Sequence, residues 1–63
     1  MSPRARTIRR LLSAGWTFDR HGSRHDIYRS ANGVDEVAVP RHNFDEDTER
    51  YVLKQAGIGS KRR

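Results

Sequence analysis

The dipeptide Asn32-Gly33, set between two short runs of β-favouring residues, constrains the fold of this chain more than any other feature. Asn and Gly tolerate the left-handed backbone that a tight hairpin demands, so the chain is expected to reverse here and pair its flanks antiparallel. His25-Asp26-Ile27-Tyr28-Arg29 precedes the turn, and Glu36-Val37-Ala38-Val39 follows it, stopped by Pro40. A second reversal is predicted at His21-Gly22-Ser23-Arg24, where Gly22 can take positive φ at no steric cost. Before it, Trp16-Thr17-Phe18-Asp19-Arg20 alternates apolar and polar, the pattern of a strand buried on one face. Three strands joined by short turns form an antiparallel meander.

Helices are predicted on both sides of the meander. Ala5, Ile8, Leu11 and Leu12 recur at helical spacing. Ser2 can cap this first helix, Pro3 suits its first position, and Gly15 stands where a left-handed C-terminal cap is expected. The second helix begins near Asp45, a candidate N-cap, with Glu46 and Asp47 complementing the helix dipole. Val52, Leu53 and Ala56 form its apolar stripe, and Gly57 is its expected stop. The simplest way to hide both stripes is an α+β fold, α-β-β-β-α, with both helices on one face of a three-stranded antiparallel sheet. Residues 1–58 make a single domain on this reading, and 59–63 a basic, flexible C-terminal tail.

The 63 residues include no cysteine, so neither disulfides nor thiolate-bound metal are expected to brace the fold. Apolar runs are too short to span a membrane, and Met1-Ser2-Pro3-Arg4 is not followed by the apolar stretch of a secretory signal. A cytoplasmic protein is expected. The formal net charge of +5 points to a polyanionic partner. The charge is also segregated: residues 1–10 and 51–63 are basic without acids, whereas 35–49 is acid-rich. This pattern fits either solvated basic ends or a basic nucleic-acid face beside an acidic one facing elsewhere.

The candidates for chemistry are the histidines His21, His25 and His42. His21 and His25 have the spacing of a helical metal pair, but Gly22-Ser23 between them argues against a helix, and no metal or other cofactor is expected. His25 suits acid–base work. RNA carries its own nucleophile, the 2′-hydroxyl, so a small domain needs only a base and cations to stabilise the crowded phosphate. From the residues alone, His25 stays open between that role and an ordinary strand residue on the polar face. Asp26, its neighbour along a strand, should point to the opposite face. Ser23 lacks the surroundings of a serine nucleophile and is read as bonding turn backbone or positioning phosphate. His42 reads as a general acid, a phosphate ligand or a plain loop residue. Trp16 and Phe18 are expected to pack, and Tyr28 is open between packing and stacking on a base.

Four segments together resemble the HicA family of toxin–antitoxin systems. They are the basic helix ending in Ala14-Gly15-Trp16, then Gly22-Ser23-Arg24-His25-Asp26-Ile27-Tyr28, then Val37-Ala38-Val39-Pro40-Arg41-His42, and finally Val52-Leu53-Lys54-Gln55-Ala56-Gly57-Ile58. The resemblance implies a double-stranded-RNA-binding-like fold that serves as an mRNA endonuclease, and a HicB-type antitoxin as partner. The histidine of the family's Gly-Ser-x-His motif, required for activity, falls on His25. The chain departs from the family pattern at Arg24, where a second His is frequent. It departs again at Asp47-Thr48, in place of Gly-Thr, and at Glu49, a position commonly apolar.

The expected function is therefore a metal-independent endoribonuclease toxin acting on single-stranded mRNA. His25 is its acid–base residue, and Ser23, Arg24, Arg29, Arg41 and His42 hold substrate. The alternatives are a non-catalytic RNA-binding module of the same fold, and a protein-interaction adaptor using the sheet edge or the acidic stretch.

Overall fold

A computed structural model describes residues 2–58; the basic tail expected over 59–63 lies outside them. The elements follow the expected order: α1 (Pro3–Ser13), β1 (Thr17–His21), β2 (His25–Arg29), β3 (Glu36–Pro40) and α2 (Glu46–Gln55). The strands form one antiparallel sheet in the order β1-β2-β3. Among the described residues, no helix is long and apolar enough to cross a membrane.

Local chemistry sets the ends of these elements. The Ser2 hydroxyl accepts the Ala5 N–H at 3.1 Å, and Pro3 opens α1. Gly15 ends it at φ 93°, where a side chain would strain. Asp45 caps α2 by accepting the Thr48 N–H at 3.0 Å, a bond that also holds its carboxyl below the usual range. The Asn32-Gly33 reversal takes a longer form than a two-residue hairpin. The Gly33 N–H bonds the Ser30 carbonyl, and the Asn32 side chain accepts the Ser30 hydroxyl and the Val34 N–H.

The core lies between the helices and one face of the sheet. Leu11, Trp16, Tyr28, Val37, Val39 and Val52 form a buried cluster, with Ile8, Phe44, Ala56 and Ile58 packed against it. Tyr28 pairs in register with Val37, and Asp26 with Val39, so β2 and β3 turn these alternate residues to the same, helix-covered side. Tyr28 is thereby a packing residue.

Packing changed two expectations. The buried face of α1 runs through Thr7 and Leu11, while Ala5 is exposed and Leu12 is half-exposed. Thr7 is admitted because its hydroxyl donates to the Pro3 carbonyl at 2.7 Å, satisfying the polar atom within the helix. The first strand also differs. It runs from Thr17 to His21, and every residue in it is exposed, Phe18 included. An irregularity at Asp19, between Phe18 and Arg20, breaks its alternation, and β1 is an outer strand beyond the well-covered β2 and β3. Only Trp16, just before the strand, reaches the core.

Glu49, at the position where the family pattern is commonly apolar, is nonetheless buried. Its two oxygens accept from Arg6 Nε and Nη2, each at 2.7 Å, which joins α2 to α1 across 43 residues of sequence. This paired geometry fixes two atoms on each side, so it orients the helices as well as attracting them. The Arg6 bond holds the Glu49 carboxyl below its ordinary value of 4.5, against the opposing effect of burial. A lowered folded-state pKa stabilises the native state above the unfolded value and ceases to do so as pH falls through the folded one. Glu49→Gln is therefore expected to melt several degrees below the native protein at neutral pH. The gap should close as pH drops below 4.5. Thermal melts across that range check it; a gap independent of pH counts against the ion pair.

Candidate active site at the first hairpin tip

The turn between β1 and β2 is tight, and Gly22 is the reason it can be. Its N–H donates to the His25 carbonyl at 2.6 Å, so Gly22 and His25 face each other across Ser23 and Arg24. The expected positive φ at Gly22 is not found; left-handed glycines occur at 15, 33 and 57. Glycine is favoured at 22 because a Cβ would sit 3.0 Å from the His25 carbonyl oxygen, tighter than ordinary contact. The constraint is close approach, not left-handed backbone.

His25 opens β2 on the face opposite the core. Asp26 and Tyr28 turn inwards, whereas His25 is exposed and pairs in register with Pro40. Asp26 is thus kept from His25, as strand alternation predicts.

Arg41 brings the rest of the turn together. Just past Pro40, it donates from Nη2 to the Ser23 carbonyl at 2.8 Å, and its N–H lies 3.4 Å from the Arg24 carbonyl. Ser23, Arg24, His25 and Arg41 therefore share one end of the sheet. His42 follows directly and is exposed; its Nδ1, 2.7 Å from the Asn43 carbonyl, can only donate there, which leaves Nε2 as the outward nitrogen.

Arg29 is elsewhere. It closes β2 four residues from His25, a separation of about 13 Å along a strand. Its guanidinium is bonded to Glu36 at 2.6 Å, Asp19 at 3.3 Å and the Gly33 carbonyl at 3.2 Å. Arg20 bonds the same two carboxylates. The Asp19 carboxyl is held low by hydrogen bonds from Arg29 and Arg20, and that of Glu36 by Arg20.

Four residues that sequence reasoning did not assemble, Asp26, His21, Arg4 and Arg41, meet beside this turn. Asp26 is buried, and its Oδ1 lies 2.7 Å from His21 Nδ1. Arg4 Nη2 reaches its Oδ2 at 3.2 Å, and Arg41 Nη1 lies 3.6 Å from its Oδ1. The bond from His21 lowers the Asp26 carboxyl pKa most; Arg41 and Arg4 add to the effect and burial opposes it. Phe18 packs on the His21 ring with centroids 4.9 Å apart. One signal in the sequence could have found this cluster: Asp26 alternates with Tyr28, so an acid stands at a core-facing position that demands partners.

Asp45, Glu46 and Asp47 of the acidic stretch are exposed. Asp45 caps α2, Asp47 pairs with Arg50, and Glu49 is buried on Arg6. A cleft of about 450 Å³ runs between the helices, with Arg10, Arg50 and Lys54 among its lining residues. None of the turn residues lines it. Among the described residues, no three of His, Asp and Glu come together as a set able to hold a metal ion.

A family model described as HicA toxin of bacterial toxin-antitoxin matches residues 4–58. No curated protein and no solved structure gives a significant match.

Proposed function

The chain belongs to the HicA toxin family, and from that premise we propose that it is a metal-independent endoribonuclease that cuts single-stranded mRNA with His25 as its acid–base residue. Membership makes it the toxin of a toxin–antitoxin pair and implies a HicB-type antitoxin as partner. Its substrate puts its action in the cytoplasm.

The observation that carries this reading is the position of His25. It is exposed at the tip of a hairpin whose turn is clasped by Arg41 and flanked by Arg24. A phosphodiester laid against that tip meets a proton acceptor and cations within one small surface. His25 takes the proton of a 2′-hydroxyl, and the oxygen attacks the adjacent phosphorus. The bond to the 5′-oxygen breaks, leaving a 2′,3′-cyclic phosphate and, once the departing oxygen is protonated, a 5′-hydroxyl. Arg24 and Arg41 stabilise the charge that gathers on the phosphate, and Ser23 and His42 position it. Arg29 stands outside this set, since its guanidinium is bonded to Glu36 and Asp19.

The test uses a long unstructured RNA and the same sequence as DNA, both in excess EDTA. The expected result is that RNA is cut to products ending in 2′,3′-cyclic phosphate while DNA stays whole. Cleavage of both, or cleavage that EDTA abolishes, would remove the 2′-hydroxyl mechanism. Binding without cleavage would leave a non-catalytic RNA-binding module.

A further inference from the structure

We propose that Arg4, His21 and Arg41, gathered by the buried carboxylate of Asp26, form a second phosphate-binding site that grips the RNA phosphate next to the one being cut. The inference rests on the reading of RNA as substrate and adds to it a site built from three separate elements. Arg4 comes from the first turn of α1, His21 from the end of β1, and Arg41 from the segment leaving β3. Their side chains meet on Asp26 at 3.2, 2.7 and 3.6 Å.

The charge at this cluster does not cancel. Two guanidinium groups face one carboxylate, an excess of one positive charge, and protonation of His21 adds another. Nor are the donors used up. Arg4 commits Nε to the Pro40 carbonyl and Nη2 to Asp26, and no hydrogen bond engages its Nη1 among the described residues. Against a carboxylate His21 Nδ1 donates, so Nε2 is turned away from Asp26 on a side chain 68% exposed, an acceptor on the neutral ring and a donor to phosphate on the charged one. Arg41 keeps 40% of its side chain exposed. Arg4 keeps 22% of its side chain exposed, so all three side chains reach the surface more than the carboxylate that holds them, which is 12% exposed. That is the layout of an anion site with its counter-charge underneath.

Its location selects the ligand. Arg41 also bonds the Ser23 carbonyl within the turn that carries His25. Asp26 and His25 are successive residues on opposite faces of β2. A strand of RNA crossing the hairpin tip with one phosphate at His25 presents its neighbour to this cluster, and Arg41, held by the Ser23 carbonyl as well as Asp26, is shared by the two phosphates. Asp26 is then a positioning residue, and Arg4 and His21 are binding residues.

The consequence has an unusual sign. Asp26→Asn removes a negative charge from a protein that carries +5, so long-range attraction alone would tighten RNA binding. If Asp26 gathers the cations, binding weakens instead. The measurement is fluorescence anisotropy of a short labelled 2′-O-methyl oligouridylate, which cannot be cleaved, titrated with the full chain across a salt series. Asp26→Asn is expected to weaken binding about tenfold, the scale of one lost charge-assisted contact. The slope of log K against log salt should shrink by about 0.7 for each phosphate released. Unchanged or tighter binding overturns the site, as does native protein that fails to bind the probe. Should Asp26→Asn not fold, Arg4→Met and His21→Gln carry the same test, and binding unaltered by either overturns it. On cleavable RNA the variant should raise KM more than it lowers kcat. The two readings also fail separately. Binding that depends on Asp26 in a protein that cuts nothing removes the enzyme and keeps the site. Cleavage that depends on His25, with Asp26→Asn binding more tightly, removes the site alone.

Discussion

Alanine in place of His25 is expected to slow RNA cleavage by about 10²–10⁴-fold, the range that a positioned acid–base group contributes, while the protein stays folded. The two halves of this expectation rest on different observations. Catalysis depends on the imidazole, whose ring nitrogen can take up and return a proton, as the guanidinium groups of Arg24 and Arg41 beside it cannot. Folding does not depend on it: the side chain is exposed and, among the described residues, takes part in no hydrogen bond or ion pair. The contact that closes the turn uses the His25 carbonyl, which alanine retains. Initial rates on one RNA in EDTA, read beside thermal melts of both proteins, separate the effects. Equal rates for the two proteins would remove His25 from the mechanism, and a lost fold would contradict its placement on the open face.

Leu11→Ala is expected to have the largest effect on stability. Leu11 is fully buried in a cluster with Trp16, Tyr28, Val39 and Val52. Removing a buried leucine side chain to alanine costs about 2–5 kcal/mol, part transfer and part cavity. A domain of this size holds only roughly 3–9 kcal/mol in total, so one substitution takes a large share. The melting temperature should fall by about 10 °C or more, and RNA cleavage should be lost with the fold. Leu12→Ala is the matched control. It deletes the same atoms one position along, from a residue 51% exposed, and should change stability by less than about 0.5 kcal/mol. Equal losses at both positions would mean that the packed face of α1 is not the one described.

The contrast between Leu11 and Leu12 shows where sequence reasoning stops. Both belong to one helical stripe by spacing, and nothing local says which of them the core takes. That was settled by where α2 and the sheet lie, and by Thr7, whose hydroxyl is satisfied within its own helix. The turn that places His25 at a strand start was legible because it is local, whereas the role of His25 stayed open on the residues alone and was implied by the family resemblance. The surroundings of His25 were less legible. Arg29 belongs to the same strand, yet strand length and the carboxylates of Asp19 and Glu36 hold it away. Arg4 and His21 join the neighbourhood through a single buried acid.

Sequence by itself determined what is decided within a few residues. The caps at Ser2 and Asp45, the stops at Gly15 and Gly57, the reversal at Asn32-Gly33 and the end of the third strand at Pro40 all follow from backbone sterics and short-range hydrogen bonds. Tertiary structure alone decided the break in β1, the burial of Glu49 on Arg6, and the convergence of Arg4, His21 and Arg41 on Asp26. Arg4 and Asp26 stand 22 residues apart and Arg6 and Glu49 stand 43 apart. Such pairs have no local geometry to announce them, and they meet only once the apolar faces of two helices and a sheet have packed.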